Sequence, residues 1–276
     1  MHDLPECEHL LLTVEGPRLN LTFNRPDQRN AINSKMGEEF AAVVGWLEKS
    51  ADDIRLVVLR GAGGHFCAGG DIKERRNMAE EEVKAGEDPI LERNKAAGLA
   101  FLNFENLPQT TIAVVEGSAF GGGMGYACMA DITIVAEDAR MGMPETTLGV
   151  APAQIAPFVV KRIGLTRARQ LALTGERFGG QKAFDYGIAQ YMAPDAEIDA
   201  KLEEVVASVM RCGPKANAAT KAIMLKVGSL PQEDMVAFSA AKFSELNRGI
   251  EGKEGQSAFA EKRKPAWQVA AEGERK

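Results

Sequence analysis

The chain has 276 residues, 45% of them hydrophobic and 26% charged, with a formal net charge of -6. That length supports one large domain, or one domain with a smaller attachment, around a core that needs no disulfide staples. The composition argues against wholesale disorder, the acidic balance against a general nucleic-acid binder, and no apolar run approaches the roughly 20 residues needed to span a bilayer.

In chain order, His9 to Phe23 reads as two strands around the turn Gly16-Pro17, the second alternating Leu19, Leu21 and Phe23. After the loop Asn24-Arg25-Pro26-Asp27-Gln28-Arg29-Asn30 comes a helix capped by Asn33 or Ser34. Its apolar positions Met36, Phe40, Val43, Val44 and Leu47 fall at helical spacing. Ile54 to Arg60 is a short apolar strand that runs into Gly61-Ala62-Gly63-Gly64. Residues 74–106 read as mostly helical, Thr111 to Val115 as a strand, and the stretch from the following glycines to Ala130 as a helix. Asp131 to Ala136 is the next strand. This alternation means an α/β architecture.

From about residue 157 the pattern turns mostly helical. Thr166 is a candidate cap for a helix ending near Gly175, and Gln181 to Tyr186 makes a short helix closed by Gly187. Residues 199–212, 216–227 and 232–248 read as further helices. The expected division is an α/β body over 1–195 and a helical region over 196–276.

The four cysteines, Cys7, Cys67, Cys128 and Cys212, form no C-x-x-C pair, so a zinc knuckle or redox dithiol is not expected. The only histidines are His2, His9 and His65, which leaves little material for a Ser-His-Asp triad or a histidine metal site. The start of the chain lacks the pattern of a signal peptide, and a reducing, cytoplasmic location is expected.

Two segments stand out as candidate ligand loops. One is His65-Phe66-Cys67-Ala68-Gly69-Gly70-Asp71-Ile72-Lys73-Glu74. The other is Gly117-Ser118-Ala119-Phe120-Gly121-Gly122-Gly123-Met124-Gly125. Each follows a strand and leads towards a helix. Glycine there lets backbone N–H groups approach a ligand, and two such loops together make a two-donor oxyanion hole. Two tight turns with no ligand would give the same glycine content. Neither loop carries a G-x-G-x-x-G dinucleotide fingerprint or a G-x-x-x-x-G-K-[ST] phosphate loop, so NAD and ATP are disfavoured.

The ordered set Asn24-Arg25-Pro26, Asn30-Ala31, Phe66 to Ile72, Gly117 to Gly123, Ala130-Asp131, Pro144-Glu145 and Leu148-Gly149 resembles the enoyl-CoA hydratase/isomerase (crotonase) superfamily over nearly the whole chain. The resemblance implies a spiral of ββα units followed by a C-terminal helical trimerisation region. It also implies a homotrimer or dimer of trimers. By motif position, Gly70 and Gly122 supply the N–H groups that hold a thioester enolate, and Glu145 is the catalytic carboxylate. Coenzyme A, which enters as part of the acyl-CoA substrate and not as a separate cofactor, would lie along Ala68, Gly70, Asp71, Ile72 and Lys73. Arg29 is a candidate to face its phosphates, and so is the run Glu261-Lys262-Arg263-Lys264, for which a solvated helix end is the alternative reading. No metal, nucleic acid or membrane partner is implied.

One departure matters. Two-glutamate hydratases carry their first glutamate two residues after the triple glycine, where this chain has Gly125. Glu145 alone suits a double-bond isomerase, or a hydratase in which another group helps hold the water. Gly149 to Arg162, Arg211-Cys212, Ala218 to Lys221 and Glu261 to Trp267 look closest to bacterial isohexenylglutaconyl-CoA and 3-methylglutaconyl-CoA hydratases. On that reading the missing side chain at Gly125 opens space and removes a repulsive charge for a substrate that carries its own carboxylate. The alternatives are an isomerase of the same fold, other thioester chemistry on it, and a CoA- or RNA-binding member without catalysis.

Overall fold

Gly16 adopts a positive φ of 54° and turns β1 (Leu10–Glu15) back on β2 (Arg18–Phe23) as an antiparallel hairpin, with Leu10 opposite Phe23. This is a computed structural model, which describes residues 3–80 and 88–273. The helix α1 (Ser34–Lys49) follows, capped by Asn33, whose side chain accepts from the Met36 N–H. Its buried stripe includes Met36, Phe40, Val43, Val44 and Leu47, the residues whose spacing predicts the helix.

The chain then winds as a spiral. β3 (Leu56–Gly61) runs parallel to β2, β4 (Thr110–Val115) parallel to β3, and β6 (Ile132–Ala136) parallel to β4. After each of these strands the chain crosses to a second, smaller sheet and then enters a helix. β4 leads to β5 (Ser118–Phe120) and α4 (Gly122–Met129). β6 leads to β7 (Arg140–Gly142) and α5 (Ala156–Thr174). After β3 the crossing is a single bridge, Cys67 to Ala119, before α2 (Ile72–Glu80) and α3 (Pro89–Glu105). The expected helical stretch 74–106 is thus two helices, and its residues 81–87 lie outside the described residues.

Two later strands lie in the stretch read as helical. β8 (Arg177–Gly179) pairs antiparallel with β7, and β9 (Tyr191–Ala193), after α6 (Gly180–Asp185), extends the main sheet beside β6. The large sheet has the order β1-β2-β3-β4-β6-β9 and the small one β5-β7-β8. Helix α5 begins well before Thr166. Gly164 breaks it at φ 77°, so the Gly-Leu-Thr signal marks a break inside the element, not its start. The inner strands are buried on both faces and read as unbroken apolar runs such as Leu56-Val57-Val58-Leu59 and Ile112-Ala113-Val114-Val115.

Helix α7 (Ile198–Met210) sends Ile198, Leu202, Val205, Val206 and Val209 into the same core, so the first helix after residue 195 is continuous with the α/β body. Beyond it come α8 (Pro214–Lys226), α9 (Gln232–Arg248), α10 (Ile250–Ala260) and α11 (Ala266–Gly273). The Lys221 ammonium ties α8 to the sheet through Asp131 at 2.8 Å and the Gln109 carbonyl at 3.1 Å. Among the described residues no helix is long and apolar enough to cross a membrane.

Candidate active site

β2, β3, β4 and β6 run in the same direction, so the loops leaving them gather at one end of the large sheet. In α/β sheets that end is where ligands bind. The two glycine loops meet there. In the first, Cys67 N–H donates to Ser118 and Ala68 N–H to Arg29, while Asp71 N–H donates to Ile32 and Ile32 N–H to Gly69. Consecutive N–H groups of an extended segment point to opposite edges. The Gly70 N–H therefore faces away from Ile32, and it donates to no acceptor among the described residues. Gly69 has φ 92°, and a Cβ there would stand 2.8 Å from the Phe120 carbonyl oxygen of the second loop. Only glycine allows this approach.

The second loop ends at Gly121, whose φ of 52° starts α4. Gly122 is the first residue of the helix, so its N–H has no partner within the helix and stands in the favourable potential of the N-terminus. Tyr126 seats α4. Its ring packs 5.0 Å from Phe23, 4.8 Å from Phe40 and 4.9 Å from Phe101, centre to centre.

Glu145 comes from a third loop, in a turn of 3-10 helix (Pro144–Leu148) opened by Pro144 and closed by Gly149 at φ 73°. A Cβ on Gly121 would lie 2.8 Å from Glu145 Oε1, so the carboxylate sits directly against the second glycine loop. Its Oε2 is buried and accepts no hydrogen bond among the described residues. Burial pushes the Glu145 carboxyl above the usual carboxylate range, while its own amide N–H and the nearby Arg75 guanidinium draw it back down. A carboxyl with a raised pKa and a free oxygen suits proton transfer, and two open N–H groups beside it suit a developing oxyanion.

The remaining expected residues divide. Ala68 is held in the bonded segment described above, Ile72 and Lys73 are exposed at the start of α2, and Arg29 is exposed with its backbone carbonyl bound to Ala68. Asp71 turns inward instead of towards a ligand. Its carboxylate accepts from Lys73 and Glu74 N–H and pairs with Arg25 at 3.2 Å. Burial alone would raise its pKa, but these donors outweigh it and hold Asp71 below the ordinary value. In the basic run, Arg263 is bound to Glu254 at 2.6 Å and to Glu261 at 2.7 Å. Nearby, the Trp267 carbonyl accepts from Arg55, which precedes β3, so within one chain the run lies towards the opposite end of β3 from the glycine loop.

Gly125 requires a correction. A Cβ there would stand 2.4 Å from Ile155 Cγ2, so the volume that glycine vacates is filled by Ile155 and is not open to a ligand. Ile155 and Arg75 are the residues that sequence reasoning missed. Arg75 directly follows the first glycine loop and Ile155 lies within the Gly149 to Arg162 segment, but which glycine each side chain meets is set by the fold. His65 Nδ1 lies 3.2 Å from Ser118 Oγ and braces the small sheet. Cys67 and Cys128 are buried thiols, each pushed up to about 12 by burial, and are not nucleophiles at neutral pH.

Residues 18–270 match the family model described as enoyl-CoA hydratase/isomerase. The chain is similar to a crystal structure of an enoyl-CoA hydratase/isomerase from Marinobacter aquaeolei, with 44% identity and TM-score 0.91 over 95% of this chain and 100% of that one. It is similar to Pseudomonas aeruginosa AtuE, with 45% identity and TM-score 0.90 over 95% of this chain and 100% of that one. It is also 30% identical to the short-chain-enoyl-CoA hydratase of Clostridium acetobutylicum over 94% of this chain and 97% of that protein. With a match this long, a shared spiral and a paired-glycine site facing a glutamate, the chain belongs to the enoyl-CoA hydratase/isomerase family.

Proposed function

We propose that this protein hydrates an α,β-unsaturated acyl-CoA, of the branched glutaconyl type, through a thioester enolate. The observation that carries the reading is the meeting of the Gly70 and Gly122 N–H groups, neither spent within the fold, with the unbonded carboxylate oxygen of Glu145. The two N–H groups polarise the thioester carbonyl and hold the oxygen as negative charge develops. Donors of this kind contribute about 3–4 kcal/mol each. Glu145 takes a proton from the attacking water and delivers one to the enolate carbon, returning to its starting state. Coenzyme A enters as part of the substrate, and the reaction needs no further cofactor.

Gly125 supports the glutaconyl class by removing a negative charge from beside the reacting alkene. Ile155 lines that position with hydrocarbon, so help in holding the water would come from the substrate's own carboxylate. The same observation favours a second reading. With Ile155 where a second glutamate would stand, Glu145 can shuttle a proton alone and move a double bond. Mass spectrometry after incubation with crotonyl-, 3-methylcrotonyl-, 3-methylglutaconyl-, isohexenylglutaconyl- and one 3-enoyl-CoA separates the two. Gain of one water from the glutaconyl compounds supports the hydratase. No gain, with a moved double bond and deuterium uptake in the 3-enoyl compound, replaces it with the isomerase.

The resemblance also supports a homotrimer or dimer of trimers in the cytoplasm. Large apolar side chains on the C-terminal helices, including Phe243, Ile250 and Phe259, are left exposed in one chain.

A further inference from the structure

We propose that Arg75 recognises a second carboxylate on the acyl chain, so that the site selects monothioesters of dicarboxylic acids over simple acyl-CoAs. The inference rests on the acyl-CoA site proposed above and names the group that would read its substrate. Arg75 lies in the first turn of α2, where its N–H donates to the Asp71 carbonyl at 3.1 Å. Its Nη2 is 3.6 Å from the point where a Cβ on Gly70 would project, beside one of the two open N–H groups. The absence of a side chain at Gly70 leaves this room.

The acidic residues around Arg75 are committed elsewhere. Asp71 is held by Arg25, and Glu74 by Arg93 at 2.7 Å and by the Ser34 N–H. Arg75 forms no ion pair with any described residue. Glu145 forms no ion pair with Arg75 among the described residues, although the Arg75 charge draws its pKa down. A half-buried guanidinium beside the open Gly70 N–H is costly to cover with hydrocarbon and favourable to cover with a carboxylate, which it can bind in a two-bond fork. A chain with a terminal carboxylate satisfies Arg75 when that group reaches the guanidinium; a plain acyl chain that covers it buries the charge unpaired.

The test is calorimetric titration of the intact protein with glutaryl-CoA and valeryl-CoA, saturated thioesters of the same chain length that differ in one carboxylate. The expected result is tighter binding of glutaryl-CoA by about tenfold to a hundredfold, the range of a hydrogen bond to a charged partner. Arg75→Gln should remove this preference and Arg75→Lys retain part of it, with thermal unfolding confirming that both variants are folded. Equal binding of the two thioesters by the parent protein would overturn the proposal. So would an Arg75→Gln variant that keeps the preference. Equal weakening of both ligands would also overturn it, and would assign Arg75 to the coenzyme A phosphates or to the fold. Because neither probe can be hydrated, an Arg75-dependent preference with no water added to any enoyl-CoA would reject the reaction and not the recognition.

Discussion

The proton-transfer role proposed for Glu145 comes with a cost to the fold, because burial disfavours its charged form. Glu145→Gln keeps the shape of the side chain and removes the carboxyl that can take up and release a proton. Turnover should fall by about 100- to 10,000-fold, while a saturated acyl-CoA still binds; stopped assays and calorimetry on the same preparation check both. The raised pKa gives a second expectation. Between the ordinary glutamate value and the raised value of folded Glu145, the folded state binds more protons than the unfolded one. Stability from this residue therefore falls as pH rises through that window, and the whole penalty persists above it. Glu145→Gln should be more thermally stable than the parent at neutral pH, and the gain should vanish below the ordinary value. Melting curves at pH 4 and pH 7.5 test this, and an equal difference at both would refute it.

At the scale of elements, the donor loops are held by polar ties and close backbone approach. Asp71 caps the start of α2 and is clamped by Arg25, whose guanidinium also donates to the Ala31 carbonyl. This pins the segment that carries Gly70. Asp71→Asn should cost about 1.5–3 kcal/mol of stability near neutral pH. The Asp71 pKa is lowered, so its contribution is present above the ordinary aspartate value and is lost as pH falls through the lowered one. The gap between variant and parent should therefore close in acid. Denaturant titration at two pH values measures it, and kcat should drop as the Gly70 N–H loses its place. Much of this level was legible in the sequence. The hairpin at Gly16, the stripe of α1 and the core strands follow from periodicity and turn residues. The three-residue strands β8 and β9 did not, because so short a run has no period and becomes a strand only by pairing with β7 and β6. Helix α10 was hidden by Gly252 and Gly255, poor helix formers that serve close packing. A Cβ on Gly255 would stand 3.1 Å from the Trp267 ring. For the site, glycine content marked the two loops as candidates, and the family resemblance assigned Gly70, Gly122 and Glu145 within it. Arg75 and Ile155 belong to contacts that only the folded spiral makes.

For the whole molecule, the C-terminal helices pose the main question. Ile250 is 91% exposed and Phe259 88% exposed in a single chain, and with Phe243 they are the apolar side chains that contact between copies would cover. Sedimentation equilibrium at micromolar concentration should give a mass of three or six chains. Phe243→Asp combined with Phe259→Asp should shift the mass towards one chain and lower the melting temperature. A parent protein that sediments as a single chain would remove the oligomer from the proposal.

The contact between Gly125 and Ile155 has a consequence for how such sites change over generations. Adding a carboxylate at 125 alone drives it into Ile155, and trimming Ile155 alone leaves an empty apolar hole in the core, typically costing about 2–5 kcal/mol. Either single step is harmful, yet the two together exchange one filled volume for another. The positions are thus epistatic, and a one-glutamate site is separated from a two-glutamate site by a valley that single mutations cannot cross without loss. In a double-mutant cycle, Gly125→Glu with Ile155→Ala should be more stable than the sum of the single effects by more than 1 kcal/mol, as is usual for residues in direct contact. The identity of the residue facing Gly125 would then be a heritable record of which chemistry the lineage is committed to.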